Sequence, residues 1–157
     1  MERLYQLMLN YIHQHSLLER NIIFLCHYLP YITFGLYPCL LIYLFFIKSD
    51  LLLITIIKPL SAFLFVTLFR KIINRKRPYE TMQINPLFKH KSGESFPSRH
   101  TVSAFIIALV CFYVNIYLGI FALFIAIMIS ISRILAGVHY ISDVIASIVI
   151  AVIIYLI

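Results

Sequence analysis

A chain of 157 residues of which 62% are apolar and only 12% charged, with a mean hydropathy of +0.97, is too apolar for a water-soluble globule of one domain. Its apolar runs reach bilayer-spanning length, which implies an all-α polytopic transmembrane bundle, and no strand alternation competes with that reading. Lys and Arg outnumber Asp and Glu by 13 to 6, and seven of the 13 crowd between Arg70 and Lys91, a local excess that suits a polyanion such as phosphate or, alternatively, anionic lipid headgroups.

Residues 3 to 16 place Leu4, Met8, Tyr11 and Ile12 at helical spacing among Arg3, Gln6, Asn10 and Gln14. That is the pattern of an amphipathic helix lying in the interface, and residues 1–21 are expected to stay outside the bilayer core. His13 and His15 are not i and i+4 partners of one another and read as headgroup-level polar side chains. The opening is mixed polar and shows no small-residue cleavage pattern, so the chain is expected to insert through its own spans.

The first span is predicted from about Ile22 to Ile47, bent by Pro30 and Pro38, and is followed by a tight polar turn at Lys48-Ser49-Asp50. The second covers about Leu51 to Phe69, with Lys58-Pro59 near its middle, where a lysine must snorkel or face a wet cavity. Residues 70–97 form the one substantial loop, rich in charge and carrying Pro78, Pro86 and Gly93. Spans three, four and five are predicted near Ser98–Tyr117, Leu118–Leu135 and Ile141–Ile157. Cys26, Cys39 and Cys111 lie within apolar runs without metal-ligand spacing and read as small packing residues. With about five spans in this order, Arg70, Ser98, Arg133 and His139 all arrive at one membrane face, which argues for a single site.

Three stretches carry chemistry there. In the first, Arg70-Lys71-Ile72-Ile73-Asn74-Arg75-Lys76-Arg77-Pro78, a helix continuing past span two would turn Arg70 and Arg77 the same way. Guanidinium forks bind phosphate oxygens. Lys71, Arg75 and Lys76 read as lining the approach or meeting headgroups. In the second, Phe96-Pro97-Ser98-Arg99-His100-Thr101, Ser98 is expected as the N-cap of span three, with backbone N–H groups and the positive end of the helix dipole aimed at an anion. His100, one turn in, is placed to give a proton to a leaving oxygen. The third, Ser132-Arg133 with His139 and Asp143, sets a histidine and a carboxylate at i and i+4, so that Asp143 orients His139 and raises its basicity as a nucleophile or a base. Lys89, His90 and Lys91 fall outside these stretches and read as solvated loop, with a lid as the alternative. Glu80 and Glu94 are candidates for ion pairs with the basic cluster.

Together the three stretches resemble the signature of the type 2 phosphatidic acid phosphatase superfamily, which reads K-x6-R-P, then P-S-G-H, then S-R-x5-H-x3-D. That family includes bacterial undecaprenyl-diphosphate and phosphatidylglycerophosphate phosphatases and the vanadium haloperoxidases; hydropathy sets this chain apart from a soluble haloperoxidase. Ser132, Arg133, His139 and Asp143 match the third part fully. Arg70 stands in place of the family's lysine and Arg99 in place of its glycine, changes that keep the charge in the first case and the backbone N–H in the second.

The resemblance implies that His139 attacks phosphorus to form a phosphohistidine, with Asp143 orienting it. His100 would protonate the leaving oxygen and then activate water. Arg70, Arg77, Ser98, Arg99 through its backbone, and Arg133 would hold the phosphoryl oxygens. It implies no metal and no cofactor. The expectation is one integral membrane domain over residues 1–157, a minimal enzyme acting on a membrane lipid phosphate, with undecaprenyl diphosphate favoured over phosphatidylglycerophosphate and phosphatidic acid. Its partners are that lipid and the bilayer, not a nucleic acid, and the site is expected on the extracytoplasmic face of the cell membrane. A non-catalytic lipid-phosphate binding or transport protein is the competing class.

Overall fold

The computed structural model describes residues 1–90 and 92–157, so Lys91 lies outside the described residues. Among these residues the only regular structure is helix: α1 (Glu2–Gln14), α2 (Ser16–Phe46), α3 (Leu51–Ile73), the single turn α4 (Pro78–Thr81), α5 (Arg99–Val114), α6 (Ile116–Leu135) and α7 (Ile141–Leu156). The membrane stretches within α2, α3 and α6 are long and apolar enough to cross a bilayer, while α5 and α7 are apolar but shorter. At 16 residues each, these two rise about 24 Å.

Helix α5 is the centre of the bundle, packed against α2, α3, α6 and α7. Its buried side chains fall on every side, including Val102, Ala104, Phe105, Ile106, Ala108 and Cys111. Small residues line the contacts, with Ala122 and Ala126 on α6 and Ser147 and Ala151 on α7, and let backbones approach where no hydrophobic effect drives helices together. The large exposed apolar side chains belong mainly to α2, α3 and the outer faces of α6 and α7, the surfaces that meet lipid.

Several boundaries differ from those expected. The first break falls at His15, so α2 starts at Ser16 and Ile22 is already inside it. Asn115 divides α5 from α6, because its side chain accepts from the N–H groups of Tyr117 (2.9 Å) and Leu118 (3.1 Å) and so caps α6. The hairpin closes there at Gly119, where an added Cβ would stand 2.4 Å from the Phe112 ring. Helix α3 runs past Phe69 to Ile73 and is stopped by Asn74 in the left-handed conformation (φ 40°), which Asn adopts more readily than most residues.

The prolines do not end their helices. Pro30 has no N–H to offer the carbonyl of Cys26, nor Pro59 that of Thr55. Each freed carbonyl has another donor: Arg133 Nη2 reaches Cys26 O at 2.6 Å, and the Tyr37 hydroxyl reaches Thr55 O at 3.0 Å. Lys58 lies at the membrane face opposite the long polar loop, where its ammonium donates to the carbonyls of Ile154 and Tyr155. It therefore complements the negative end of α7.

Helix α1 is amphipathic, but its buried stripe is Tyr5, Leu9 and Ile12 rather than Leu4, Met8 and Tyr11. That stripe faces protein. Glu2 accepts from Gln83 N (2.8 Å), and His13 contacts Asn85 O (3.0 Å) as well as Glu19 (3.3 Å). Leu4, Leu7 and Tyr11 remain exposed on the other side, so α1 lies between the polar loops and the bilayer.

Candidate active site

The loop between α6 and α7 is built to hold one imidazole. Gly137 takes φ +73°, and a Cβ there would meet Leu9 Cδ1 at 3.0 Å; only glycine adopts that backbone without strain. The next two carbonyls are pinned from elsewhere in the chain, Val138 O by Arg77 Nη1 (3.1 Å) and His139 O by the Tyr5 hydroxyl (3.0 Å). His139 Nδ1 faces Asp143 Oδ2 at 3.4 Å, an arrangement that leaves Nε2 with its lone pair when Nδ1 carries the proton. Burial, opposed by the Asp143 carboxylate and reinforced by Arg77, pushes His139 down to about 4. Near neutral pH the ring is therefore uncharged and nucleophilic.

Tyr5→Phe is expected to lower stability by about 1 to 2 kcal/mol by stripping the His139 carbonyl of its donor, and to slow turnover several-fold. Thermal midpoint and kcat in detergent measure both; if neither moves, α1 plays no part in holding the loop.

Asp143 has no solvent exposure and serves four partners. Besides His139 it accepts from Tyr140 N (3.0 Å), closing the first turn of α7, from Ser95 Oγ (2.5 Å) and from Arg75 Nη1 (2.7 Å). Arg75 also lies over the Tyr140 ring, 4.0 Å from its centre. Arg75 and Ser95 were not expected here. Their contacts span 68 and 48 residues, and within a basic run nothing local marks Arg75 apart from its neighbours.

The arginines converge, though not by helix register. Asn74 breaks the helix between Arg70 and Arg77, and Arg77 instead stands as the N-cap of α4. Both are buried: Arg70 Nη1 donates to Pro97 O (2.7 Å), and Arg77 Nε donates to Gly93 O (3.2 Å). Glu94 approaches Arg70 at 4.0 Å, whereas Glu80 accepts from the backbone N–H groups of Arg77 and Gly93. Arg133 is anchored on Cys26 O. In this tightly bonded cluster, Arg70 Nε and Arg133 Nε are buried N–H groups with no hydrogen-bond partner among the described residues.

Ser98 occupies the N-cap position of α5, but its hydroxyl makes no capping bond and accepts from Thr101 Oγ1 at 3.1 Å. The Ser98 side chain thus leaves the first-turn N–H groups of α5 uncapped, so that they are open to an anion. His100 lines a cavity of about 480 Å³ together with Arg133, Cys26, Phe88 and His90. His90, expected as solvated loop, comes within 6.4 Å of the His100 ring centre, and its backbone is clamped on both sides by the Tyr79 hydroxyl (3.0 and 3.2 Å). The Arg99 side chain does not join this cluster and is exposed. Among the described residues, no three His, Cys, Asp or Glu side chains gather as metal ligands would.

The family model of the PAP2 superfamily matches residues 48–157. The chain belongs to the PAP2 superfamily. Among curated relatives, it is 30% identical over 139 residues to the bacitracin transport permease protein BcrC of Bacillus licheniformis, covering 85% of this chain and 66% of that one. It is 35% identical over 78 residues to the undecaprenyl-diphosphatase BcrC of Bacillus subtilis strain 168, covering 50% and 40%. The chain thus spans about two thirds or less of the length of these relatives. Among solved structures, that of Aquifex aeolicus LpxE aligns over 98% of this chain and 91% of that one, with a TM-score of 0.77 and 29% identity. A phosphatidylglycerolphosphate phosphatase of Bacillus subtilis shares the fold, with a TM-score of 0.61 at 20% identity over 98% and 89%.

Proposed function

We propose that this chain is a lipid phosphatase that hydrolyses the terminal phosphate of a membrane lipid through a phosphohistidine, with undecaprenyl diphosphate as its substrate. The observation that carries the reading is the pair of buried N–H groups, Arg70 Nε and Arg133 Nε, that make no hydrogen bond among the described residues, Arg70 Nε having only Glu94 at 4.0 Å, in the same site as the buried His139–Asp143 pair. Unpaired buried donors are costly, and a phosphoryl group supplies the acceptors. In this reading His139 Nε2 attacks phosphorus, the P–O bond breaks, and the leaving oxygen takes the bonding pair and a proton from His100. His100 then removes a proton from water, which attacks phosphorus and breaks the P–N bond; inorganic phosphate leaves and His139 is restored. Arg70, Arg77, Arg133 and the first-turn N–H groups from Arg99 onward hold the equatorial oxygens, where their charge counts most in the transition state.

Similarity to a protein named an undecaprenyl-diphosphatase supports the lipid. Residues 1–157 act as one domain, the site opens on the extracytoplasmic face with α1 beside it, and the C-terminus lies on the other side. The test is phosphate release in detergent from undecaprenyl diphosphate, phosphatidylglycerophosphate and phosphatidic acid, each in EDTA. Release persisting in EDTA and fastest on the diphosphate is expected. Fastest release from another lipid would replace the substrate, and a folded protein that binds these lipids without releasing phosphate would replace the enzyme with a binding or transport protein.

A further inference from the structure

Arg99 is the charged residue that the site leaves over. It opens α5, is exposed, and its guanidinium lies 6.0 Å from the centre of the Phe63 ring, with no hydrogen bond or ion pair among the described residues. A second cavity, of about 640 Å³, runs beside it between α2, α3 and α5, walled by apolar residues such as Tyr37, Leu60, Phe63 and Ile107. This groove meets the cavity lined by His100 and Arg133 at Pro30, Phe34 and His100, which line both. Among the described residues, Arg99 is the one lysine or arginine in the groove wall, and it stands one residue from His100, at the seam.

On the phosphatase reading, a lipid with its tail in the groove and its terminal phosphorus at His139 crosses that seam. What lies at the seam depends on the substrate class. In a monophosphate, the group following the bridging oxygen is a neutral carbon. In a diphosphate it is a second phosphate, which carries charge in the ground state and gains more as the bridging P–O bond breaks and its electron pair moves to the departing lipid monophosphate.

We infer that Arg99 binds this second phosphate and makes the site selective for lipid diphosphates over lipid monophosphates. The inference rests on the phosphatase reading above and gives the replacement of a glycine by arginine a purpose: the backbone N–H serves the transferred phosphoryl, and the side chain serves the leaving group. An arginine presented over an aromatic face is held without losing its outward donors, so little ordering is required when the second phosphate arrives.

The experiment compares wild type, Arg99→Gly and Arg99→Lys on farnesyl diphosphate and farnesyl monophosphate, which share one tail. The ratio of kcat/KM for the two is expected to fall about ten- to a hundredfold in Arg99→Gly, the worth of one charge-assisted hydrogen bond, and to recover in part in Arg99→Lys. The same ratio read as Kd in His139→Ala protein, with farnesyl methylenediphosphonate against farnesyl phosphonate, answers the question where turnover of the monophosphate is slow. An unchanged ratio overturns the inference even if both substrates slow together, as damage to the fold would cause. Wild type releasing phosphate from neither lipid overturns the phosphatase reading itself, which the variants then cannot rescue.

Discussion

His139→Ala is expected to abolish phosphate release, with a loss of at least about ten-thousandfold, the scale on which a nucleophile that forms a covalent intermediate is missed. The protein should stay folded. Apart from the Asp143 contact with the ring, the side-chain bonds that fix the loop, from Arg77, Tyr5 and Asp143, reach the backbone at Val138, His139 and Tyr140. Rapid quenching of wild type with lipid labelled at its terminal phosphate is expected to trap label on protein in an acid-labile, base-stable form, as a phosphorus–nitrogen bond requires, and the alanine variant is expected to trap none. Full turnover in the variant, or label on a different residue, would move the chemistry away from His139.

Asp143 is expected to separate two kinds of loss. Asp143→Ala removes the shared partner of Arg75, Ser95 and the Tyr140 N–H, and should cost about 2 to 3 kcal/mol of stability. That is less than for a pair buried on both sides, because the Arg75 side chain is 37% exposed and water recovers part of its solvation. Asp143→Asn keeps the volume and an acceptor for Ser95 or Tyr140 N, so it should melt close to wild type. It no longer holds the proton on Nδ1 or offsets charge on the ring, and kcat is expected to fall about a thousandfold, within the range seen when a buried carboxylate partner of histidine is neutralised. A melting curve beside kcat separates the effects. If the asparagine variant stays within tenfold of wild type, Asp143 is a structural residue and not the orienting partner of His139.

The local parts of this site were legible in the sequence, and the non-local parts were not. His139 and Asp143 lie four residues apart at a helix start, so spacing alone places them together. The convergence of α3, α5, α6 and α7 at one face follows from span order, and Ser98 N reaching Asp143 O (3.4 Å) realises it. Arg70 and Arg77 were expected to share a helix face, yet they meet because Asn74 turns the chain. An asparagine at the end of an apolar run was the available signal. The apolar stripe of α1 was assigned to lipid because helical spacing shows that one side must be covered without naming what covers it, and the loop that buries Tyr5 and Leu9 is far away in sequence. Arg75 carried no local mark at all, since an ion pair with Asp143 exists only after the loop has folded over α7.

Pro30 gives the bundle a trade between regularity and reactivity. An uninterrupted α2 would use the Cys26 carbonyl for itself, and Arg133 would then have to find its anchor elsewhere or swing within the cavity it lines. By withholding one backbone proton, the proline turns a stretch of membrane helix into a fixed receptor for a guanidinium one helix away. Substitutions meant to straighten or strengthen α2 therefore act on a helix whose defect anchors Arg133: on the phosphatase reading, a more perfect helix at this point would make a poorer cradle for phosphate.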